Sequence, residues 1–367
     1  MILRIVQAQI EKRLKDKKAI ILLGPRQVGK TTLLKTFVSK GKEVLWWNGD
    51  DAETRYMIEN PNSSKLKKLI GHHKILVIDE AQRIENIGLC IKLITDNIEG
   101  VKVFATGSSA FELSNKINEP LTGRKWEYTL YPFSFEELAN HSTIMEESRL
   151  LEHRMIYGYY PEVVNNPGDE QEILQQLSNS YLYKDILTWE RIQKPDKMER
   201  LVQALAFQVG NEVSYHELGQ MAGLNNETVE NYINLLEKAF IVFRLGTFSR
   251  NLRNELKKSR KIYFYDNGLR NDVGALWENF MVAERMKYCA YHQIYHNRYF
   301  WRNHAQNEID LIEERDGKLF AYELKWSPKA KVKFPKAFVD AYEPDETKVI
   351  TRENYQEFIY EKIKLSK

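Results

Sequence analysis

Three features of this 367-residue sequence predict an α/β protein built on a parallel sheet and continued by smaller modules. Short apolar runs alternate with amphipathic segments through the first ~130 residues, the pattern of successive βα units. Two of the runs, Ala19–Leu23 and residues 75–78, are apolar without alternation, as strands covered on both faces are. Beyond Pro132 the pattern turns helical, and it then passes into a helix-turn-helix and two β-rich stretches.

The elements follow in order. Strands are expected at residues 19–23, 43–47, 75–78, 101–105 and 126–130, with a helix over 31–39. Asn165-Asn166-Pro167-Gly168-Asp169 breaks the helical region and starts a long helix running past Tyr181 and Ile186. Ser214-Tyr215-His216-Glu217 has the form of a capping box. After the turn at residues 223–226, Val229, Ile233, Leu236 and Phe240 share one helical face. Strand-like runs at 241–247 and 261–265 with a basic loop between them complete a winged helix. From about Gly274, a helix and a β-rich stretch predict a third, small α/β domain.

Composition bounds the classes. Hydrophobic residues make up 43% of the chain, enough for real cores, which excludes wholesale disorder. The 54 basic and 51 acidic residues nearly cancel, so only local clustering speaks to nucleic acid. Two cysteines, Cys90 and Cys289, exclude a disulfide framework and a zinc-finger set and favour a reducing compartment. No apolar run approaches the ~20 residues that span a bilayer. The expectation is a cytoplasmic protein with no membrane partner.

Gly24-Pro25-Arg26-Gln27-Val28-Gly29-Lys30-Thr31-Thr32 matches G-x-x-x-x-G-K-[ST] and lies between an apolar strand and a helix. Glycines let backbone N–H groups wrap a phosphate at a helix N-terminus, whose dipole favours an anion. Lys30 is then within reach of the β/γ oxygens, and the Thr31 hydroxyl is a Mg²⁺ ligand. Asp79 ends a buried strand, where a carboxylate is costly unless a cation meets it, and Glu80 beside it suits a water-activating role. Thr106-Gly107-Ser108-Ser109 ends another strand at the same sheet edge. No N-K-x-D guanine signature occurs, because Asn115-Lys116-Ile117-Asn118 ends in Asn, so ATP is expected rather than GTP.

On these residues the chain resembles AAA+ ATPases, with Walker A at 24–31, Walker B at Asp79-Glu80 and a sensor at Ser108 or Ser109. Together with Asp79-Glu80-Ala81-Gln82, Leu121-Thr122-Gly123-Arg124 and Pro132-Phe133-Ser134-Phe135-Glu136-Glu137, it resembles an uncharacterised bacterial and archaeal STAND-like ATP-binding family. In that family a winged helix and a further domain follow the ATPase. Gly158-Tyr159-Tyr160-Pro161 is similar to the family's G-x-P element with one residue added. For Arg124 the resemblance leaves an arginine finger and a structural arginine both open. It also leaves assembly open, between AAA+ rings and STAND-like monomers that oligomerise on signal.

In the winged helix the second helix carries Glu227, Glu230 and Glu237, a poor match to a phosphate-lined groove. The wing differs: Arg244, Arg250, Arg253, Lys257, Lys258, Arg260 and Lys261 face one acid, Glu255. That cluster suits a nucleic-acid backbone, and equally a solvated or docking surface.

Near the C-terminus, Asp316-Gly317 is a strong hairpin signal. With those two residues as the loop, Arg315 pairs with Lys318, Ile312 with Ala321, and Asp310 falls opposite Glu323, with Lys325 on the same face. Facing carboxylates repel unless a divalent cation or a shared proton relieves them. The set resembles a PD-(D/E)xK nuclease core, with Asp310, Glu323 and Lys325 joined by a helical acid, Glu278. That resemblance implies a second divalent metal, Mg²⁺ or Mn²⁺, on Glu278, Asp310 and Glu323.

The expected organisation is a P-loop ATPase core at 1–131, a helical lid at 132–195, a winged helix at 196–273 and a nuclease-like α/β domain at 274–367. The expected function is ATP binding and hydrolysis with Mg²⁺, the nucleotide state controlling a nuclease-like domain on nucleic acid. The alternative is a nucleotide-gated switch whose C-terminal domain recruits a partner without cutting, or a regulator that binds DNA through the wing alone.

Overall fold

A computed structural model describes residues 2–38, 43–108, 117, 119–177, 195–250, 260–269 and 276–361. The chain divides into two compact units, residues 1–132 with 238–240, and residues 133–237 with 241–367. No helix among the described residues is long and apolar enough to cross a membrane.

The first unit is a parallel five-stranded sheet. Its strands are β1 (Ala19–Leu23), β2 (Val44–Asn48), β3 (Ile75–Asp79), β4 (Lys102–Gly107) and β5 (Lys125–Thr129). They lie in the order β2-β3-β4-β1-β5, each pair parallel. The unbroken apolar run of β1 is wholly buried, and residues 75–78 of β3 are buried with it, as parallel strands under helices on both faces require. Helices Lys30–Val38, Ser63–Ile70 and Ile87–Asn97 supply the cover, the second opened by an Asn62 side chain that accepts from Lys65 N. Each expected strand falls within two residues of its predicted bounds. The parallel arrangement brings the C-terminal ends of β1, β3 and β4, and the residues after them, to one edge.

The second unit opens with short helices. The first, Phe135–His141, carries a complete capping box between Ser134 and Glu137. Four more follow: Ile144–Arg149, Leu151–Tyr157, Pro161–Asn165 and Glu170–Leu177. The predicted continuation through Tyr181 and Ile186 lies outside the described residues. Helices Pro195–Phe207, Tyr215–Ala222 and Asn226–Lys238 come next, and Ser214 caps the second of these by accepting from Glu217 N.

The strands of this unit are β6 (Glu212–Val213), β7 (Val242–Thr247), β8 (Arg260–Phe264), β9 (Asn297–Arg302), β10 (Glu308–Arg315), β11 (Lys318–Leu324) and β12 (Glu346–Ile350). They form one mixed sheet in the order β12-β11-β10-β9-β7-β8-β6. The sequence predicts a winged helix and a separate α/β domain meeting near residue 273, whereas here the β7–β8 wing hairpin continues into the C-terminal strands. The join is the parallel pair β7–β9, with Gly246 opposite Tyr299 and Thr247 opposite Phe300, extended by Phe248 N donating to Phe300 O at 2.7 Å. Helix Leu276–Tyr291 is buried along most of its length in this unit. The β10–β11 hairpin has the predicted register, Arg315 opposite Lys318 and Ile312 opposite Ala321.

The Gly158-Tyr159-Tyr160-Pro161 element has a structural partner in the same unit. The buried Asp266 carboxylate accepts Tyr159 N at 2.7 Å and Gly268 N at 3.0 Å. A β-carbon on Gly158, whose φ is +75°, would lie 1.8 Å from Asp266 Oδ1. Glycine is required there by both the backbone angle and the contact. Gly158→Ala is expected to cost about 2 kcal/mol or more of unfolding free energy by urea denaturation, and a loss under ~0.5 kcal/mol would contradict the interlock.

Candidate functional site

The loop after β1 turns through Gly24, with φ +147°, Gln27, with φ +59°, and Gly29, with φ +91°, before the helix begins at Lys30. A β-carbon on Gly24 would meet the Leu130 carbonyl oxygen at 2.0 Å, so only glycine lets the loop leave the sheet here. Buried Arg4 fastens the loop from behind, donating from Nη1 to Val28 O at 2.8 Å and from Nη2 to Tyr131 O at 2.6 Å. Lys30 is 6% exposed and donates to the loop carbonyls of Gly24 at 2.9 Å and Pro25 at 2.7 Å.

At the end of β3 the Asp79 carboxylate accepts from two hydroxyls. Thr31 Oγ1 donates to Oδ2 at 2.9 Å, and Thr106 Oγ1, from the end of β4, donates to Oδ1. Strand order explains this meeting, since β4 lies between β1 and β3 and Thr106 therefore bridges the two motifs. Glu80 leaves the strand in the left-handed region, with φ +49°, a conformation that a non-glycine residue holds only when its surroundings fix it. Those surroundings are identifiable. Glu80 N donates to Thr106 Oγ1 at 3.2 Å, and Gly49 N donates to Asp79 O at 2.8 Å. A β-carbon on Gly49 would lie 2.2 Å from Glu80 O. Gln82 Nε2 then donates to Glu80 Oε2 at 2.6 Å and to Ser108 Oγ at 3.0 Å, and Ser108 Oγ lies 3.4 Å from Glu80 Oε2.

Lys30, Thr31, Asp79, Glu80 and Ser108 are thus brought to one edge of the sheet, while Ser109 lies outside the described residues. Arg124 lies at the surface, its Nε donating to Asp96 Oδ1 at 2.7 Å and its Nη1 to Thr122 O at 3.3 Å. Arg4, Gln82 and Gly49 were not singled out by the sequence. Gln82 carried a signal, its place in Asp-Glu-Ala-Gln; Arg4 carried none. The donors fit a nucleotide with a hard cation: a hydroxyl and a carboxylate side by side, an amine, and a glycine-opened loop at a helix N-terminus.

The carboxylates of the second unit are arranged differently from the prediction. Asp310 and Glu323 do face each other with Lys325 beside them, Lys325 Nζ lying 2.8 Å from Asp310 Oδ2 and 2.7 Å from Glu323 Oε2. Leu324 N also donates to Asp310 Oδ2, at 2.8 Å. Glu278, on the first turn of its helix, accepts at Oε1 from Tyr263 Oη at 2.7 Å and from Lys261 Nζ at 3.0 Å. Lys261 also pairs with Glu308. Glu278, Asp310 and Glu323 do not bring three donor atoms within 4.8 Å of one another. Among the described residues only Cys289, His296 and Glu313 do so. There Arg285 already holds both Glu313 oxygens, at 2.8 and 3.0 Å, and burial pushes the Cys289 thiol up to about 12. The second divalent metal expected on Glu278, Asp310 and Glu323 is therefore not supported: their oxygens do not converge on one point, and one oxygen of each is paired with an ammonium, hydroxyl or amide donor.

The basic wing is also partly consumed inside the unit. Lys261 is fully buried. Arg244 is bound by Glu237 at Nε, 2.9 Å, by Asn234, and by Tyr215 Oη at 3.3 Å. Arg250 is exposed and donates to Tyr342 O at 3.1 Å. Arg260 is half-buried, and Arg253, Lys257 and Lys258 lie outside the described residues. His292 and His296 lie between helix Leu276–Tyr291 and β9, and His292 Nε2 sits 2.9 Å from Glu136 Oε2.

Comparison with known proteins is consistent with the first site. Residues 16–139 match a family described as an AAA domain, 148–278 a domain of unknown function (DUF8612), and 273–365 another domain of unknown function (DUF4143). An uncharacterized protein of Mycobacterium tuberculosis is 24% identical over 336 residues, covering 87% of this chain and 72% of that protein. One from Haemophilus influenzae is 25% identical over 271 residues, covering 68% of each. Among solved structures, a Walker-type ATPase of Pyrococcus abyssi covers 72% of this chain and 93% of its own at 16% identity, with a TM-score of 0.47. Residues 16–139 are an AAA domain, a P-loop ATPase module for ATP and Mg²⁺.

Burial, and then the charge of Asp310, push the Glu323 carboxyl up to about 7, so the folded chain keeps a proton there that the unfolded chain releases. The stability this proton contributes is complete below the ordinary glutamate value of 4.5 and is lost as pH rises through about 7. Urea denaturation from about pH 5 to pH 8 should show wild type losing more stability than Glu323→Gln, whose amide does not titrate. Equal losses would contradict the shift.

Proposed function

We propose that the chain is an ATP-hydrolysing switch in which residues 16–139 bind and cleave ATP and the second unit carries the output. The observation that carries this reading is the set of contacts joining Thr31, Asp79, Thr106, Glu80, Gln82 and Ser108 at one sheet edge. Lys30 leaves its loop carbonyls to neutralise the β/γ oxygens. Thr31 and Asp79 would hold Mg²⁺, whose chemistry is to offset charge on the β- and γ-phosphates. Glu80 takes the proton of the attacking water as its oxygen bonds to the γ-phosphorus and the bond to the β–γ bridging oxygen breaks. Gln82 and Ser108 hold the Glu80 carboxylate in place, a positioning role.

For the output, recruitment of a partner fits the second unit better than cleavage of nucleic acid. The carboxylates that a divalent-metal nuclease would use are already paired with lysines, and two bases of the wing are engaged internally.

Lys30→Ala is expected to weaken ATP binding by about 10²-fold or more in calorimetric titration. Glu80→Gln should retain wild-type affinity and lose about 10²-fold or more in phosphate release. Equal turnover by Glu80→Gln and wild type would remove Glu80 from its role. Cleavage of DNA or RNA with Mn²⁺, abolished in Asp310→Ala, would replace the recruiting output with a nuclease.

A further inference from the structure

We propose that the Lys261 ammonium, rather than a divalent cation, neutralises Glu278 and Glu308, so that the carboxylate cluster of the second unit is a lysine-neutralised, metal-independent lock between the wing hairpin and the C-terminal hairpin. Four carboxylates are involved: Glu278 from the helix, Glu308 and Asp310 from β10, and Glu323 from β11. The lysine enters from β8, on the other side of the expected boundary near residue 273.

Its surroundings are those of a bound ion rather than of a surface base. The Lys261 side chain is 1% exposed. Its ammonium pairs with Glu308 and lies 3.0 Å from Glu278 Oε1, with the Phe300 ring centroid 5.4 Å away. The two carboxylates have further partners. Tyr263 Oη donates to the same Glu278 oxygen, and Arg302 Nε lies 3.7 Å from Glu308 Oε2. Gly210, with φ +77°, brings backbone so close that a β-carbon there would sit 2.9 Å from Glu278 Oε2. Lys325 serves Asp310 and Glu323 at the more exposed end.

A hard divalent cation needs about six oxygens at ~2.0–2.6 Å. An ammonium needs about three acceptors near 2.8–3.0 Å and supplies one charge without shedding water from a metal ion. Around Lys261 stand two carboxylates and an aromatic ring, which suit a single-charge ammonium rather than a six-coordinate cation. Removing one member of such a buried set exposes an uncompensated charge, which makes the lysine structurally obligatory in the native cluster. With Lys261 gone, Glu278 and Glu308 are left without the ammonium that neutralises them.

The test is manganese binding, followed by the electron paramagnetic resonance of free Mn²⁺, on full-length nucleotide-free protein carrying Asp79→Asn to silence the P-loop. With Lys261 present, no retained Mn²⁺ should depend on Asp310. Adding Lys261→Met should lower the thermal midpoint by about 10 °C or more, and Glu278→Gln with Glu308→Gln should restore it. Mn²⁺ held by the chain with Lys261 intact and lost in Asp310→Asn overturns the proposal, as does a Lys261→Met variant as stable as wild type. If Lys261→Met fails to fold, the triple variant Lys261→Met, Glu278→Gln, Glu308→Gln decides. Recovery of folding, with a thermal midpoint within about 10 °C of wild type, supports the lock, and no recovery overturns it. The P-loop is silenced in every manganese arm, so the outcome does not depend on ATP hydrolysis.

Discussion

The nucleotide edge depends on one carboxylate, that of Asp79, held between the hydroxyls of Thr31 and Thr106. That contact needs three strands in parallel and in one order, β3 beside β4 beside β1, so that their C-terminal ends arrive together. The same constraint reaches outward. Gly24 is glycine because the Leu130 carbonyl occupies the space a side chain would need, and Gly49 because Glu80 O does. Glu80 keeps its left-handed backbone because Thr106, Gln82 and Gly49 enclose it. Strain of this kind, about 1–3 kcal/mol, persists where the surrounding structure over-determines a residue. Here it turns the glutamate side chain toward Gln82 and Ser108.

The second unit is organised around a different electrostatic problem. Its sheet passes from the wing hairpin to the C-terminal hairpin without interruption, and the carboxylates near that join need counter-charges. Lysines supply them. A buried ion set adds little net stability compared with a well-packed apolar core, but breaking one member is costly, so it fixes which strands meet.

Much of this was legible in the sequence wherever the determinant was local. The apolar runs placed the five parallel strands, the glycine-lysine-threonine motif placed the phosphate loop, and Asp316-Gly317 set the hairpin register that puts Asp310 opposite Glu323. Non-local pairing was not legible. The β7–β9 pair joins residues about fifty positions apart, with no pattern in either strand to announce it. Lys261 counted as one more base in a basic wing, because composition records charge and not burial. The metal expected at Glu278, Asp310 and Glu323 failed for the same reason: the carboxylates were visible in sequence, whereas the lysine that neutralises Glu278 came from a strand assigned to another module. Arg244 was likewise a surface base until Glu237, on the preceding helix, was seen to bind it.

The central claim is that Thr31 and Asp79 form a cation site that ATP completes. Calorimetric titration of ATP into wild-type and Thr31→Ala protein, each with and without Mg²⁺, tests it most directly. The account predicts about one ATP per wild-type chain, bound more tightly with Mg²⁺, and a Thr31→Ala variant whose affinity no longer responds to the ion. Wild-type binding indifferent to Mg²⁺, or no binding of ATP at all, would contradict it.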